Sequence, residues 1–82
     1  MHSHRIYIVA TTKNIRDVNI QSVYDAELFT IDTILAGLKK QLKGQNYHVS
    51  QWGDDAYIDI IDDAEELVKT YTITSKLAMF NN

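Results

Sequence analysis

The chain contains no cysteine. Disulfides, thiolate zinc sites and cysteine nucleophiles are therefore excluded, and a small fold has no covalent staple to lean on. Glycine is scarce: Gly37, Gly44 and Gly53 are the only three and never cluster, so there is no phosphate-cradling loop. No G-x-S-x-G elbow surrounds Ser3, Ser22, Ser50 or Ser75, and no HExxH joins the scattered His2, His4 and His48. No apolar run approaches the ~18 residues of a membrane span, and "MHSHRIYIVATT" lacks the pattern of a signal peptide. The expected location is cytoplasmic.

What is present fits one globular domain over 1–82, with 45% hydrophobic and 23% charged residues. A chain of this size buries roughly 60% of its unfolded surface, so the core must be thin. The net charge of −3 is unevenly spread. Residues 1–53 carry six Lys/Arg and four Asp/Glu, whereas residues 54–82 carry two and seven. A globally acidic chain is a poor phosphate binder, which disfavours nucleic acid as a partner.

"RIYIVATT", Arg5–Thr12, reads as a strand. Its parity sets Ile6, Ile8 and Ala10 on one face and Tyr7, Val9 and Thr11 on the other. Asp17–Ser22 alternates weakly and fits either a second strand, after a turn at Lys13–Asn14, or a loop. Ser22 to Lys43 has helix signals: Ser22 and Asp25 at capping-box spacing, and a stripe of Leu28, Ile31, Leu35, Leu38 and Leu42. Lys39, Lys40 and Lys43 lie in the last turn, and Gly44 suits a left-handed terminus. "YHVSQWGDDAYIDIID" reads as a hairpin turning at Gly53–Asp54. Its second strand sets Ala56, Ile58 and Ile60 against Tyr57, Asp59 and Ile61.

The last segment has two readings. Asp62 and Glu65 repeat the cap spacing, and Ala64, Leu67, Val68, Tyr71, Ser75 and Ala78 make a helical stripe. Against this, "TYTIT", Thr70–Thr74, is rich in strand formers. A shared pattern in "VNIQSVYDAEL" and "IDIIDDAEEL" favours the helix; it would make the protein a doubled ββα unit if it marks a duplication, and matching helix starts also arise by chance. The expected fold is thus α+β, a small two-layer sandwich. One mainly antiparallel sheet of three to four strands carries a long helix and a C-terminal helix on one face, ordered ββαββα, or βαββαβ if Thr70–Thr74 is a strand.

Seven carboxylates, Asp54, Asp55, Asp59, Asp62, Asp63, Glu65 and Glu66, lie in one stretch without a cation. The spacing fails the EF-hand pattern, since Ile60 stands where glycine is required when counting from Asp55. One strand cannot converge these groups on a metal, because Asp54 and Asp55 lie about 20 Å from Asp62 by strand rise. Turn and cap roles explain all but Asp59. Collectively they form an acidic surface suited to a basic partner. Tyr7, Val9, Tyr57 and Ile61 face away from the expected helices, as an apolar, tyrosine-bearing surface. The alternative is that a tail through Leu77, Met79 and Phe80 covers that face.

The functional expectation is a non-enzymatic protein–protein interaction or regulatory module with no cofactor. It would form a homodimer through Tyr7, Val9, Tyr57 and Ile61. A nucleic-acid-binding module using Arg16, Lys39, Lys40 and Lys43 is the alternative. A metal-dependent enzyme using Asp59 and Asp62 is the weaker one.

Overall fold

The computed structural model describes residues 4–12 and 17–77. Five strands and one helix come in the order β1 (Arg5–Thr12), β2 (Val18–Asp25), α1 (Ile31–Gln41), β3 (Tyr47–Trp52), β4 (Asp55–Ile61) and β5 (Leu67–Thr74). The strands form one antiparallel sheet in the order β2-β1-β5-β4-β3. The fold is α+β as expected, but the sheet has five strands rather than three or four. The element order is ββαβββ, so neither expected order holds, nor does the doubled ββα unit.

The main correction concerns the C-terminal helix. Leu67–Thr74 is strand β5, pairing with β1 on one side and β4 on the other. Its buried residues are Thr72, Ile73 and Thr74, three β-branched side chains in succession, facing both sides of the sheet. Such side chains are stiff in a helix and fit a two-sided pleat. The Asp62–Glu65 spacing belongs to a hairpin loop. The Glu65 amide donates to the Asp62 carbonyl, and the Ala64 and Glu66 amides donate to Asp62 Oδ1. Glu65 has φ 61°, the left-handed residue that closes a three-residue hairpin loop.

The helix also begins later than expected. Ser22, Val23, Tyr24 and Asp25 pair with β1, and Asp25 Oδ1 accepts from the Glu27 amide in a turn. Thr30 is the true N-cap, its Oγ1 accepting from the Thr33 amide at 3.1 Å. Leu28, assigned to the stripe, lies outside the helix and is exposed. The rest of the stripe is real: Leu35, Leu38 and Leu42 are buried with Ile34. Gly44 takes the left-handed conformation at φ 92°. The β3–β4 hairpin turns at Gly53–Asp54, with positive φ (57°) at the first central position, as a type II′ turn requires.

The helix joins the two edges of the sheet, β2 and β3, and packs across one face against β4 and β5. Ile6, Ile8, Ala56, Ile58, Ile60 and Ile73 meet Ile34, Leu35, Leu38 and Leu42 in the core. Two register shifts, between Ile8 and Val9 and between Ile60 and Ile61, break the ladders without reversing these faces.

Candidate interaction surface

The register fixes which side chains share the face opposite the helix. Val9 stands beside Ile20 on β2 and Thr72 on β5, and Thr72 stands beside Tyr57 on β4. Tyr7 is flanked by Val23 and Thr74, and Thr11 by Val18 and Thr70. Tyr7, Val9, Tyr57 and Ile61 therefore lie on one face, but β5 and its threonine row separate the first two from the last two.

Depth varies across that face. Its centre is closed: Val9 and Thr74 are 0% exposed, and Thr11, Thr72 and Asp55 are buried. The chain turns toward this side after β5, where the Lys76 amide donates to Thr74 Oγ1 and Leu77 is half-buried. Met79 and Phe80, the rest of the expected cover, lie outside the described residues, as do Ala78, Arg16, His2 and the Lys13–Asn14 turn. Tyr7, Tyr57 and Ile61 are half-buried. Exposed apolar surface lies toward the edges of the face: on β2, Val18, Ile20 and Val23 are 39%, 46% and 52% exposed, and on the other half Trp52 and Leu67 are 75% and 40% exposed. Sequence parity indicates Val18 and Ile20; Val23 is obscured by the helix signals that begin at Ser22.

The carboxylates separate into two ends and a middle. Asp54 is exposed in the β3–β4 turn, across a shallow cleft from Thr30 and Asp32. Asp55 is buried on the open face, accepting from Thr74 Oγ1 at 2.9 Å. Asp59, unexplained by local roles, accepts from Thr70 Oγ1 at 2.8 Å and faces His48 across the β3–β4 ladder. This is a cross-strand pair across the sheet, the partner being a threonine rather than a cation. Asp62, Asp63, Glu65 and Glu66 cluster at the β4–β5 loop, at the far end of β4 from Asp55 and so more than about 20 Å away along the strand. Among the described residues, no group of three or more His, Asp or Glu side chains is placed to hold a metal ion. Lys39, Lys40 and Lys43 are exposed around the helix C-terminus.

A groove of about 420 Å³ runs between α1 and the β1–β2 half of the helix-bearing face. Ile8, Tyr24, Phe29, Leu38 and Tyr71 contribute to its apolar lining and Gln21, Gln41 and Gln45 to its polar lining, with no charged side chain among the described residues. It exists because one helix about 10 Å wide cannot cover a five-stranded sheet roughly 19 Å across. The Phe29 ring meets Tyr24 edge-on at 5.1 Å beside it.

These features define a small α+β protein with a single five-stranded antiparallel sheet, exposed apolar side chains on one sheet face and acidic turns. Comparison with protein-family models, with curated proteins and with solved structures gives no match. Among the described residues, no helix is long and apolar enough to cross a membrane.

Proposed function

We infer that this protein is a non-enzymatic interaction or regulatory module that works through protein–protein contact and self-associates through the sheet face opposite its helix. The observation that carries this reading is the row of exposed Val18, Ile20 and Val23 beside half-buried Tyr7. Adjacent apolar side chains on a rigid pleat form a preorganised docking surface. Val9, buried beside Ile20, flanks that row on β1, and Tyr57 and Ile61 extend the face beyond the threonines. Burying the row removes apolar area from water at about 25 cal/mol per Å². The carboxylates of the β4–β5 loop supply a separate acidic surface for a basic partner, where exposed charges set encounter rate and specificity.

The test is the concentration dependence of the mass in solution, by light scattering, for wild type and Ile20→Lys. The expected result is a larger assembly for wild type, reduced in Ile20→Lys with an unchanged far-UV circular dichroism spectrum. A wild-type chain that is strictly monomeric at high concentration, or an assembly untouched by Ile20→Lys, refutes face-mediated self-association.

A further inference from the structure

Among the described residues, both edges of the sheet are strands with one unpaired side, but they differ in how they meet solvent. β2 is broken by a register shift opposite Ile8 and Val9 and is flanked by Asp17 and Asp25. Bulges and charges are the usual protections of an edge. β3, Tyr47–Trp52, has neither. Its register with β4 is uninterrupted, and "YHVSQW" contains no Lys, Arg, Asp, Glu or Pro. Two of its side chains are large, apolar and exposed: Val49 at 38% and Trp52 at 75%.

One contact sets the direction of the open hydrogen-bonding groups. The Ile61 amide donates to the Asn46 carbonyl at 3.0 Å, so Asn46, just before β3, turns its backbone polar groups toward β4. Antiparallel ladders alternate, so His48, Ser50 and Trp52 do the same. Tyr47, Val49 and Gln51 therefore point their N–H and C=O groups away from the sheet. Their side chains lie on the helix-bearing side, with Tyr47 opposite Ile60.

We propose that β3 is the seam of a homodimer, in which two copies pair β3 with β3 antiparallel about a two-fold axis at Val49 and continue the sheet from five strands to ten. This contact uses the edge rather than the open face and is independent of it. The occupant is a second copy because the strand is self-complementary about that axis. Val49 would exchange both backbone hydrogen bonds with its own equivalent, and Tyr47 with Gln51 of the second copy. All three outward-pointing residues of each strand are satisfied in this single register. Val49 then packs on its equivalent, and Trp52 stands opposite Asn46 of the second copy. With no charged residue in the strand, the axis brings no like charges together in a chain of net charge −3. At each end the antiparallel arrangement brings the segment carrying Lys43 alongside the second copy's β3–β4 turn, where Asp54 is exposed. The helices do not collide. Each packs over β4 and β5, so their axes stand about four strand spacings apart, roughly 19 Å, against a helix diameter of about 10–12 Å.

The absence of native cysteine makes the register directly testable by cross-linking. Two single substitutions, Val49→Cys and Ser50→Cys, are each made in the Ile20→Lys background, so that the open face does not contribute. A hydrogen-bonded pair has Cα atoms about 5.5 Å apart, within disulfide range. Ser50 is offset by two residues from its equivalent, about 8 Å away, beyond that range. Mild oxidation should convert Val49→Cys to covalent dimer and leave Ser50→Cys largely uncross-linked, with both variants folded by circular dichroism. Without cross-linking, Val49→Lys should weaken dimerisation by about tenfold or more, because it sets two ammonium groups beside the axis. Trp52 emission should shift to the blue on association. Equal cross-linking at both positions, or a chain that stays monomeric and pairs its edge only with a strand of another protein, overturns the proposal. Assembly reduced but not abolished in Ile20→Lys, with Val49→Cys still cross-linking in that background, supports both contacts; failure of Val49→Cys to cross-link would sink the edge and spare the face.

Discussion

The bond between Asp55 and Thr74 offers the sharpest test of how the sheet is held together. Thr74 Oγ1 donates to Asp55 Oδ1 at 2.9 Å, and Thr74 and Asp55 are 0% and 6% exposed. Water therefore has little access to replace either partner. A hydrogen bond to a charged acceptor contributes about 1.5–3 kcal/mol, and an orphaned buried group incurs its full desolvation cost. Thr74→Val keeps the shape but removes both the donor to Asp55 and the acceptor of the Lys76 amide, whereas Asp55→Ala removes only the acceptor of the Thr74 hydroxyl. Each single variant should lose about 2 kcal/mol, which lowers the melting temperature of a domain this size by roughly 8–16 °C. The double variant should lose much less than the sum, with a coupling of at least about 1 kcal/mol, because the second change removes a group already orphaned by the first. Urea unfolding followed by far-UV circular dichroism measures all four corners of the cycle. Additive losses, or a neutral Thr74→Val, would show that the carboxylate is satisfied by solvent and that the bond contributes nothing.

Thr30→Ala should destabilise the protein by about 1 kcal/mol through loss of the helix N-cap, while Ser22→Ala should change stability by much less. Chemical denaturation of the two variants decides where the helix begins, and equal losses would contradict a start at Ile31. Glu65→Gly should leave stability unchanged or raise it by up to about 1 kcal/mol, because glycine adopts φ near 61° without steric cost; a clear loss of melting temperature would show that the Glu65 side chain is needed in the loop. Leu38→Ala should cost about 2–5 kcal/mol, since Leu38 is buried against the sheet; a loss below about 1 kcal/mol in urea unfolding would mean that α1 is not tightly packed.

The second half of the chain shows why a local pattern can mislead. Ala64, Leu67, Val68 and Tyr71 satisfy a helical period, but that spacing arises here from a hairpin loop leading into a strand interrupted at Val68. A bulge adds one residue and shifts an alternating pattern out of phase, so neither period is clean. The same difficulty affects Ser22–Asp25, whose cap-like spacing spans the end of a strand and an Asx turn. Asp62 behaves alike: its carboxylate does accept backbone amides, as a cap would, but in a turn. Acidic and hydroxyl side chains serve turns and helix starts through the same hydrogen bonds. Their presence marks a chain reversal but leaves open whether a helix or a strand comes next.

Features set by neighbouring residues are therefore legible in the sequence. β1, the β3–β4 hairpin at Gly53, the Leu35–Leu38–Leu42 stripe and the left-handed Gly44 all depend on backbone torsions, periodicity or a short loop. The carboxylates are legible only in part: Asp54 in its turn and Asp59 on a strand face follow from local pattern, whereas Asp55 is a buried strand residue rather than a turn residue and Asp62–Glu66 form a hairpin loop rather than a helix start. Only the tertiary structure decides that Leu67–Thr74 is the central strand, because its backbone groups are satisfied by β1, some sixty residues earlier, and by β4. That one placement turns a three- or four-stranded sheet into five and removes the second helix. It buries Val9 beside Thr72 and gives Asp59 and Asp55 their threonine partners. It also leaves β3 at the edge, with three residues whose backbone groups face outward.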